Sequence, residues 1–139
     1  MKYTPERVTK LKDNQVFVFG SNTAGKHGRG AALTALQKFG AIYGQGIGLQ
    51  GQSYGVPTKD KKLHILSLST IDKYVRRFLK FATEHPELEF LVTKIGCGLA
   101  GYKYADIGPL FFDEYNPSSN IILPKEFYEV VGLINTKEK

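Results

Sequence analysis

The sequence predicts an α/β domain, a sheet with helices on both of its faces. Two observations carry this. A strand, a glycine-rich loop and a helix follow one another twice, over residues 16–39 and again over 89–112, and an amphipathic helix lies between the two units. In folds of this kind ligands sit beyond the carboxyl ends of the strands, so both glycine loops are expected to face one crevice.

Composition bounds the rest. The chain has 139 residues, of which 42% are apolar, enough for one domain with a real core and too few for two. The expectation is a single domain over 1–139 with a loose polar tail from about Asn135. No apolar run approaches the ~20 residues of a membrane span, and the N-terminus lacks the apolar core of a signal peptide. Cys97 is the single cysteine, so no internal disulfide can form, and a cytoplasmic, reducing setting is expected. Net charge is +6, from 19 basic and 13 acidic residues, which suits a phosphorylated small molecule or a nucleic acid equally well. His27, His64 and His85 show no metal-ligand spacing with Cys97 or with each other, so neither metal nor cofactor is expected.

The elements follow in order. Residues 6–12 are expected to form a first, partly exposed strand around Val8 and Leu11, and Asp13-Asn14 a turn. Val16-Phe17-Val18-Phe19 is dense in strand formers. After it comes Gly20-Ser21-Asn22-Thr23-Ala24-Gly25-Lys26-His27-Gly28-Arg29-Gly30, and then a helix with Ala32, Ala35, Leu36 and Phe39 at helical spacing. Gly40 stands where a helix end wants positive φ. Gly25, Gly28 and Gly30 let a ligand approach the backbone, the first N–H groups of the helix point back at the loop, and Lys26 and Arg29 add charge. The loop is neither a Walker loop nor a dinucleotide fingerprint, because its glycines run GxxGxG. It reads either as an anion site or as a tight turn that binds nothing.

Six glycines between Gly40 and Gly55 rule out a helix there. That stretch is a loop or a short hairpin, serving as a connector or as a flap whose glutamines and Ser53 could offer hydrogen bonds. Residues 54–59 and 63–68 read as one or two strands around the basic turn Lys59-Asp60-Lys61-Lys62. Lys59, after a Pro-Thr corner, is either held for chemistry or merely solvated. Ser69 and Asp72 have capping-box spacing for the next helix. Ile71, Val75, Phe78, Leu79 and Ala82 form its apolar face, with Lys73, Arg76, Arg77 and Lys80 opposite. The basic face is a solvated surface or a phosphate-backbone strip. His85-Pro86 ends the helix.

Glu89–Lys94 is the next strand, and it runs into Ile95-Gly96-Cys97-Gly98-Leu99-Ala100-Gly101-Tyr102, with a helix expected over Tyr104–Phe112. Cys97 has no local base or cation to make it a nucleophile, although His27 could reach it through the fold; otherwise it is a small packing residue. A last strand, Asn120–Leu123, follows a Pro-Ser-Ser turn, and Lys125–Val131 reads as a closing helix.

Together the two loops resemble those of a macrodomain. The closer similarity is to the branch that contains terminal ADP-ribose protein glycohydrolase and the antitoxin that removes ADP-ribose from DNA. It rests on Gly28-Arg29-Gly30-Ala31-Ala32 through Lys38-Phe39, on Pro57-Thr58-Lys59 and on Ile95-Gly96-Cys97-Gly98, three short motifs in the right order within residues 17–112. The glycine- and glutamine-rich stretch 43–53 is similar to that of small macrodomain-like proteins of phages and prophages. The resemblance implies a three-layer α/β/α sandwich with a mixed central sheet, holding ADP-ribose between two loops. It implies that Asn22 meets the ribose beside the diphosphate, that Gly28 and Gly30 bind the diphosphate, and that Gly96, Cys97, Gly98, Leu99 and Gly101 close over diphosphate and distal ribose, with Ser21, Arg29 and Ala100 among the ligand-binding residues. Tyr102 would pack on a sugar or ring, and Lys59 would be catalytic.

One departure bears on activity. Ala100 stands where the protein glycohydrolase has an aspartate, a carboxylate able to resolve a lysine–sugar adduct or to serve as general acid or base. The DNA-directed antitoxin lacks that aspartate too. The expected function is binding of ADP-ribose or an ADP-ribosyl group, with hydrolysis of its linkage to a protein or nucleic acid. The alternative is a non-catalytic binder that sequesters ADP-ribose or a related NAD-derived nucleotide, and a weaker one is a nucleic-acid-binding domain. No membrane partner is expected, and oligomeric state is not legible.

Overall fold

The computed structural model describes residues 2–112 and 118–134. Pro117 of the expected Pro-Ser-Ser turn and the tail from Asn135 lie outside them. Among the described residues nine regular elements run in order: β1 Gln15–Asn22, α1 Gly30–Lys38, β2 Gly48–Gln50, β3 Ser53–Lys59, α2 Leu68–Glu84, β4 Glu89–Val92, α3 Tyr104–Ile107, β5 Ile121–Ile122 and α4 Lys125–Val130. A 3-10 turn, Gly108–Phe112, extends α3.

The five strands form one mixed sheet in the order β2-β3-β1-β4-β5. β1 pairs parallel with both β3 and β4, β4 pairs parallel with β5, and β2 returns antiparallel on β3. The alternation of β1 divides the core. Val16 and Val18 face a layer built from Ile71, Val75, Phe78 and Ala82 of α2 with Ile107, Phe111 and Phe127. Phe17 and Phe19 face the other way, onto Ala32 and Ala35 of α1, with Phe39, Ala41 and Val8. This is the three-layer α/β/α arrangement that the resemblance implies.

Several local expectations change. Residues 6–12 form no strand. Val8 is buried, but Leu11 follows three positions later, a spacing that does not alternate, and both edges of β1 are already taken. The chain just before them is tied to β5 instead: Thr4 donates its N–H to Leu123 O at 2.9 Å and its hydroxyl to Ile122 O at 3.0 Å. Residues 63–67 make one antiparallel bridge, Lys59 to Ile65, and no second strand. Helix α2 begins two residues before the expected box, because Ser67 caps it by accepting from Thr70 N at 3.3 Å. Asp72 pairs with Arg76 at 3.0 Å instead. After α3 the chain tightens to a 3-10 turn at Gly108-Pro109, since proline brings no N–H to an α-helical ladder.

The stretch after α1 is a short hairpin. Its polar side chains are spent on backbone groups of the fold. Gln50 is buried, with Oε1 accepting from Ile42 N at 2.8 Å, and Ser53 donates to Phe39 O at 2.9 Å. Gln52 donates to Lys12 O and Gln15 O. The segment is a brace for the first loop, and none of its residues lines the crevice described next.

Candidate functional site

At the carboxyl ends of β3, β1 and β4 lies a crevice of about 440 Å³. The residues after β1 form its first wall. A register shift between Ser21 and Asn22 leaves Asn22 opposite Lys59 of β3, and Thr23 N donates to Lys59 O at 3.0 Å. Asn22 then folds the loop on itself: its Oδ1 accepts from Lys26 N at 3.0 Å and its Nδ2 donates to Lys26 O at 2.9 Å. Ser21 donates its hydroxyl to Gly46 O, which ties the loop to the hairpin.

The loop glycines do not all serve ligand approach. A Cβ on Gly25 would stand 2.3 Å from the backbone of Gly44 and Gln45, so this glycine, at φ +71°, serves packing against the hairpin and not ligand approach. Gly28 and Gly30 have open space where a Cβ would be. They precede and open α1, whose N-cap Arg29 provides no side-chain cap and whose first turn holds no acidic residue. The first-turn N–H groups therefore have no intrahelical acceptor, and Gly28, Arg29 and Gly30 line the crevice.

The second wall is the loop after β4. Gly98 is open, whereas a Cβ on Gly96, at φ +75°, would press Ile107 Cδ1 at 3.0 Å. Ile95, Gly96, Gly98, Leu99 and Ala100 line the crevice with Ser21, Asn22, Gly28, Arg29, Gly30 and Lys59. Cys97, Gly101 and Tyr102 do not line it. Tyr102 turns its hydroxyl to Leu66 O at 2.6 Å, and Cys97 is half-buried with Sγ 3.5 Å from Ile95 O. Burial, aided by the charge of Asp106, pushes the Cys97 thiol up to about 11, against a weaker pull from Lys94. That is the behaviour of a packing cysteine. His27 is buried elsewhere, edge-on to Phe19, with Nε2 3.2 Å from Gln50 Oε1.

The sequence reading missed Thr58, Leu63, Thr93 and Lys94 as lining residues. A signal existed for the last two. Thr58-Lys59 ends β3, and the same dipeptide, Thr93-Lys94, follows β4. Lys94 bonds Glu6 at 2.6 Å and Glu126 at 3.1 Å. Burial works against its charge, but the two carboxylates outweigh that and hold its pKa above the usual lysine range.

A second cavity of about 250 Å³ adjoins the crevice and shares Ala31, Thr93 and Lys94 with it. Pro5, Val8, Phe17 and Pro124 give it apolar walls, and Thr4, Glu6, Arg7 and Thr34 a polar rim. It lies toward β5, whereas Lys59 lies on the far side, on β3. Three strand spacings, about 14 Å, separate the two ends of the trough. Lys26, Arg29, Lys59 and Lys94 line the crevice, and among the described residues no Asp or Glu does. Among the described residues no cluster of His, Cys, Asp or Glu could hold a metal ion, and no helix is long and apolar enough to cross a membrane. On the outer face of α2, Lys73, Arg77 and Lys80 are exposed, beside the Arg76–Asp72 pair.

No protein-family model and no curated protein matches this sequence. Solved structures do. A protein of unknown function from Bacteroides thetaiotaomicron superposes with a TM-score of 0.57 at 16% identity, over 83% of this chain and 89% of its own. A macrodomain protein from Streptomyces coelicolor superposes with a TM-score of 0.54 at 14% identity, over 85% of this chain and 92% of its own. Likeness at such identity resides in the fold, and the mixed five-stranded sheet between helical layers is macrodomain-like.

Proposed function

We propose that the trough binds ADP-ribose, with the diphosphate between the N-terminus of α1 and the loop after β4. The adenine occupies the cavity beside β5, and the distal ribose lies toward Asn22 and Lys59. The observation that carries this reading is the lining of the crevice: among the described residues it holds Lys26, Arg29 and Lys59 beside the ion-paired Lys94 and no carboxylate, and it adjoins an apolar-walled cavity. A diphosphate is the anion that such a lining favours, and a flat base suits walls of Phe17, Val8 and two prolines. Charge-assisted hydrogen bonds from helix and loop N–H groups contribute roughly 1.5–3 kcal/mol each. A few of them, after the entropy of association, reach the ~8 kcal/mol of a micromolar complex.

Lys59 is the reactive group at the ribose end. Its Nζ attacks the anomeric carbon, the bond to the linked group breaks, and the departing group takes the electron pair and, through water, the proton that the nitrogen gives up. Water then hydrolyses the lysine–sugar adduct, releasing ADP-ribose and restoring the amine. The substrate is an ADP-ribosylated protein or nucleic acid. A second reading, capture without turnover, is favoured by one observation. Among the described residues no carboxylate lines the crevice to act as general acid or base, and Ala100 occupies the place where the resemblance would put one.

Thermal unfolding with millimolar ADP-ribose, against AMP alone, tests the binding. Ligand at 100 times its dissociation constant stabilises by about 2.7 kcal/mol, a rise of roughly 8 °C at this size. A selective rise with ADP-ribose is expected; none with either nucleotide refutes the reading. Incubation with an ADP-ribosylated peptide or oligonucleotide then separates hydrolysis from capture by whether free ADP-ribose accumulates.

A further inference from the structure

We infer that Tyr102 is a positioning residue for Lys59: from outside the crevice, its hydroxyl ties the loop after β4 to the segment that holds the end of β3. The inference rests on the Lys59 reading above and adds a residue that acts through that lysine.

Lys59 ends β3 where the sheet supports it least. β2 pairs with Ser53, Tyr54 and Gly55 and stops short of residues 56–59. That edge is covered by the chain returning from the next turn: Ile65 bridges Lys59, and Leu66 N donates to Thr58 O at 2.9 Å. The turn itself is strained. Leu63 takes φ +65°, the one non-glycine residue with positive φ among the described residues, and a bulky side chain keeps that conformation only where its surroundings impose it. Asp60 imposes part of it. Its N–H donates to His64 O at 2.8 Å, its carbonyl accepts from Leu63 N at 3.0 Å, and its Oδ1 accepts from Lys62 N and His64 N. All of these bonds stay within the turn, so the returning limb needs an anchor outside it.

Tyr102 supplies it. Its Oη donates to Leu66 O at 2.6 Å, so Leu66 is held through its N–H by β3 and through its carbonyl by the loop after β4. β3 and β4 are not neighbours. β1 lies between them, and the two are separated by two strand spacings, about 10 Å. The tyrosine therefore joins the two loops past the end of β1. At its own backbone Tyr102 N donates to Gly96 O at 2.9 Å, and Gly96 lines the crevice. A group seated against this loop thus bears on Lys59 through one side-chain bond and the Leu66–Thr58 bond beside it.

Tyr102→Phe keeps the ring and removes the bond. With an ADP-ribosylated peptide or oligonucleotide, kcat for ADP-ribose release should fall about tenfold while KM and ADP-ribose affinity stay within about twofold, because displacing an attacking atom costs rate and not binding. Hydrogen exchange gives a second readout that needs no turnover. ADP carries the diphosphate but no distal ribose to touch Lys59. In the unaltered chain it should slow exchange at the Leu66 and Asp60 amides about fivefold. In Tyr102→Phe those amides should not respond, and protection should stay within the loop after β4. An unchanged kcat, no response of Leu66 to ADP in the unaltered chain, or a response that survives Tyr102→Phe overturns the role of Tyr102 and leaves the ADP-ribose reading standing. Where the unaltered chain captures ADP-ribose without turnover, the exchange result alone decides. Failure of ADP-ribose itself to bind overturns both.

Discussion

Two glycines three positions apart in the loop after β1 should give opposite phenotypes when each receives a methyl group. Gly25→Ala places a Cβ 2.3 Å from Gln45 N and from Gly44 C, and 2.7 Å from Gln45 C. These are backbone atoms, so no rotamer relieves the contact. Overpacking of this kind costs about 1–3 kcal/mol, and the φ of +71° adds about 1 kcal/mol for any residue with a Cβ. The sum, roughly 2–4 kcal/mol, lowers the midpoint of thermal unfolding by about 6–12 °C at this chain length. Gly28→Ala meets nothing within 4 Å and has ordinary φ, so stability should stay within about 0.5 kcal/mol. Its Cβ instead stands where a diphosphate would approach the start of α1. Loss of one charge-assisted hydrogen bond costs roughly 1.5–3 kcal/mol, or at least tenfold in the dissociation constant. Differential scanning calorimetry and ADP-ribose titration on both variants read the two effects. A Gly25→Ala protein that melts with the parent would refute the bracing role of the hairpin. Undiminished affinity in Gly28→Ala would refute the placement of the diphosphate.

Lys59→Ala should abolish release of ADP-ribose from a modified substrate while binding changes by less than about fivefold; hydrolysis that persists unchanged excludes the lysine mechanism. Cys97, with its thiol pushed up to about 11, should be about a thousandth ionised at pH 8, so alkylation by iodoacetamide should lag a free thiol by orders of magnitude unless the protein unfolds. For acid stability, Glu89 is held below the usual glutamate range chiefly by a hydrogen bond from Gln15, helped by Lys2. Burial pushes Glu126 up, but its backbone hydrogen bond and Lys94 outweigh that and hold it below the same range. Carboxylates depressed in the fold contribute stability above the unfolded pKa and lose it as pH falls through the folded one. The melting midpoint should thus fall as pH drops below about 4.5, less steeply in Glu126→Gln, and the same slope in both proteins would count against the Lys94 network.

Much of this architecture was legible because its signals are local. Val16–Phe19 alternates between two cores, Gly40 does take φ +76°, and Ile71, Val75, Phe78 and Ala82 bury the face that their spacing marks. What escaped depends on partners distant in sequence. Gly25 looks like Gly28 along the chain, and only contact with Gly44 and Gln45 separates them. The capping hydroxyl belongs to Ser67 because Lys59–Ile65 pairing sets where the helix begins. Lys94 resembles any strand-end lysine until Glu6, 88 residues away, closes on it. Leu63 offers no sequence sign of its left-handed backbone, since a residue less suited to that region would be hard to choose.

The brace between the hairpin and the first loop makes the two jaws of the crevice unequal. Ser21–Gly46, Gly44–Gly25 and the close approach of Gly46 to Asn22 fix one jaw to the sheet from a second direction. The jaw after β4 has open space at Gly98 and Gly101 and little beyond its own turns to restrain them. The backbone ordering that a ligand would impose therefore falls chiefly on the open positions of that loop, Gly98 and Gly101. Hydrogen exchange should show slow amides on the β1 side that ligand leaves untouched, and fast ones after β4 that it protects. A chain built this way can alter the rate of ligand escape through its second loop without disturbing the affinity-setting geometry of the first.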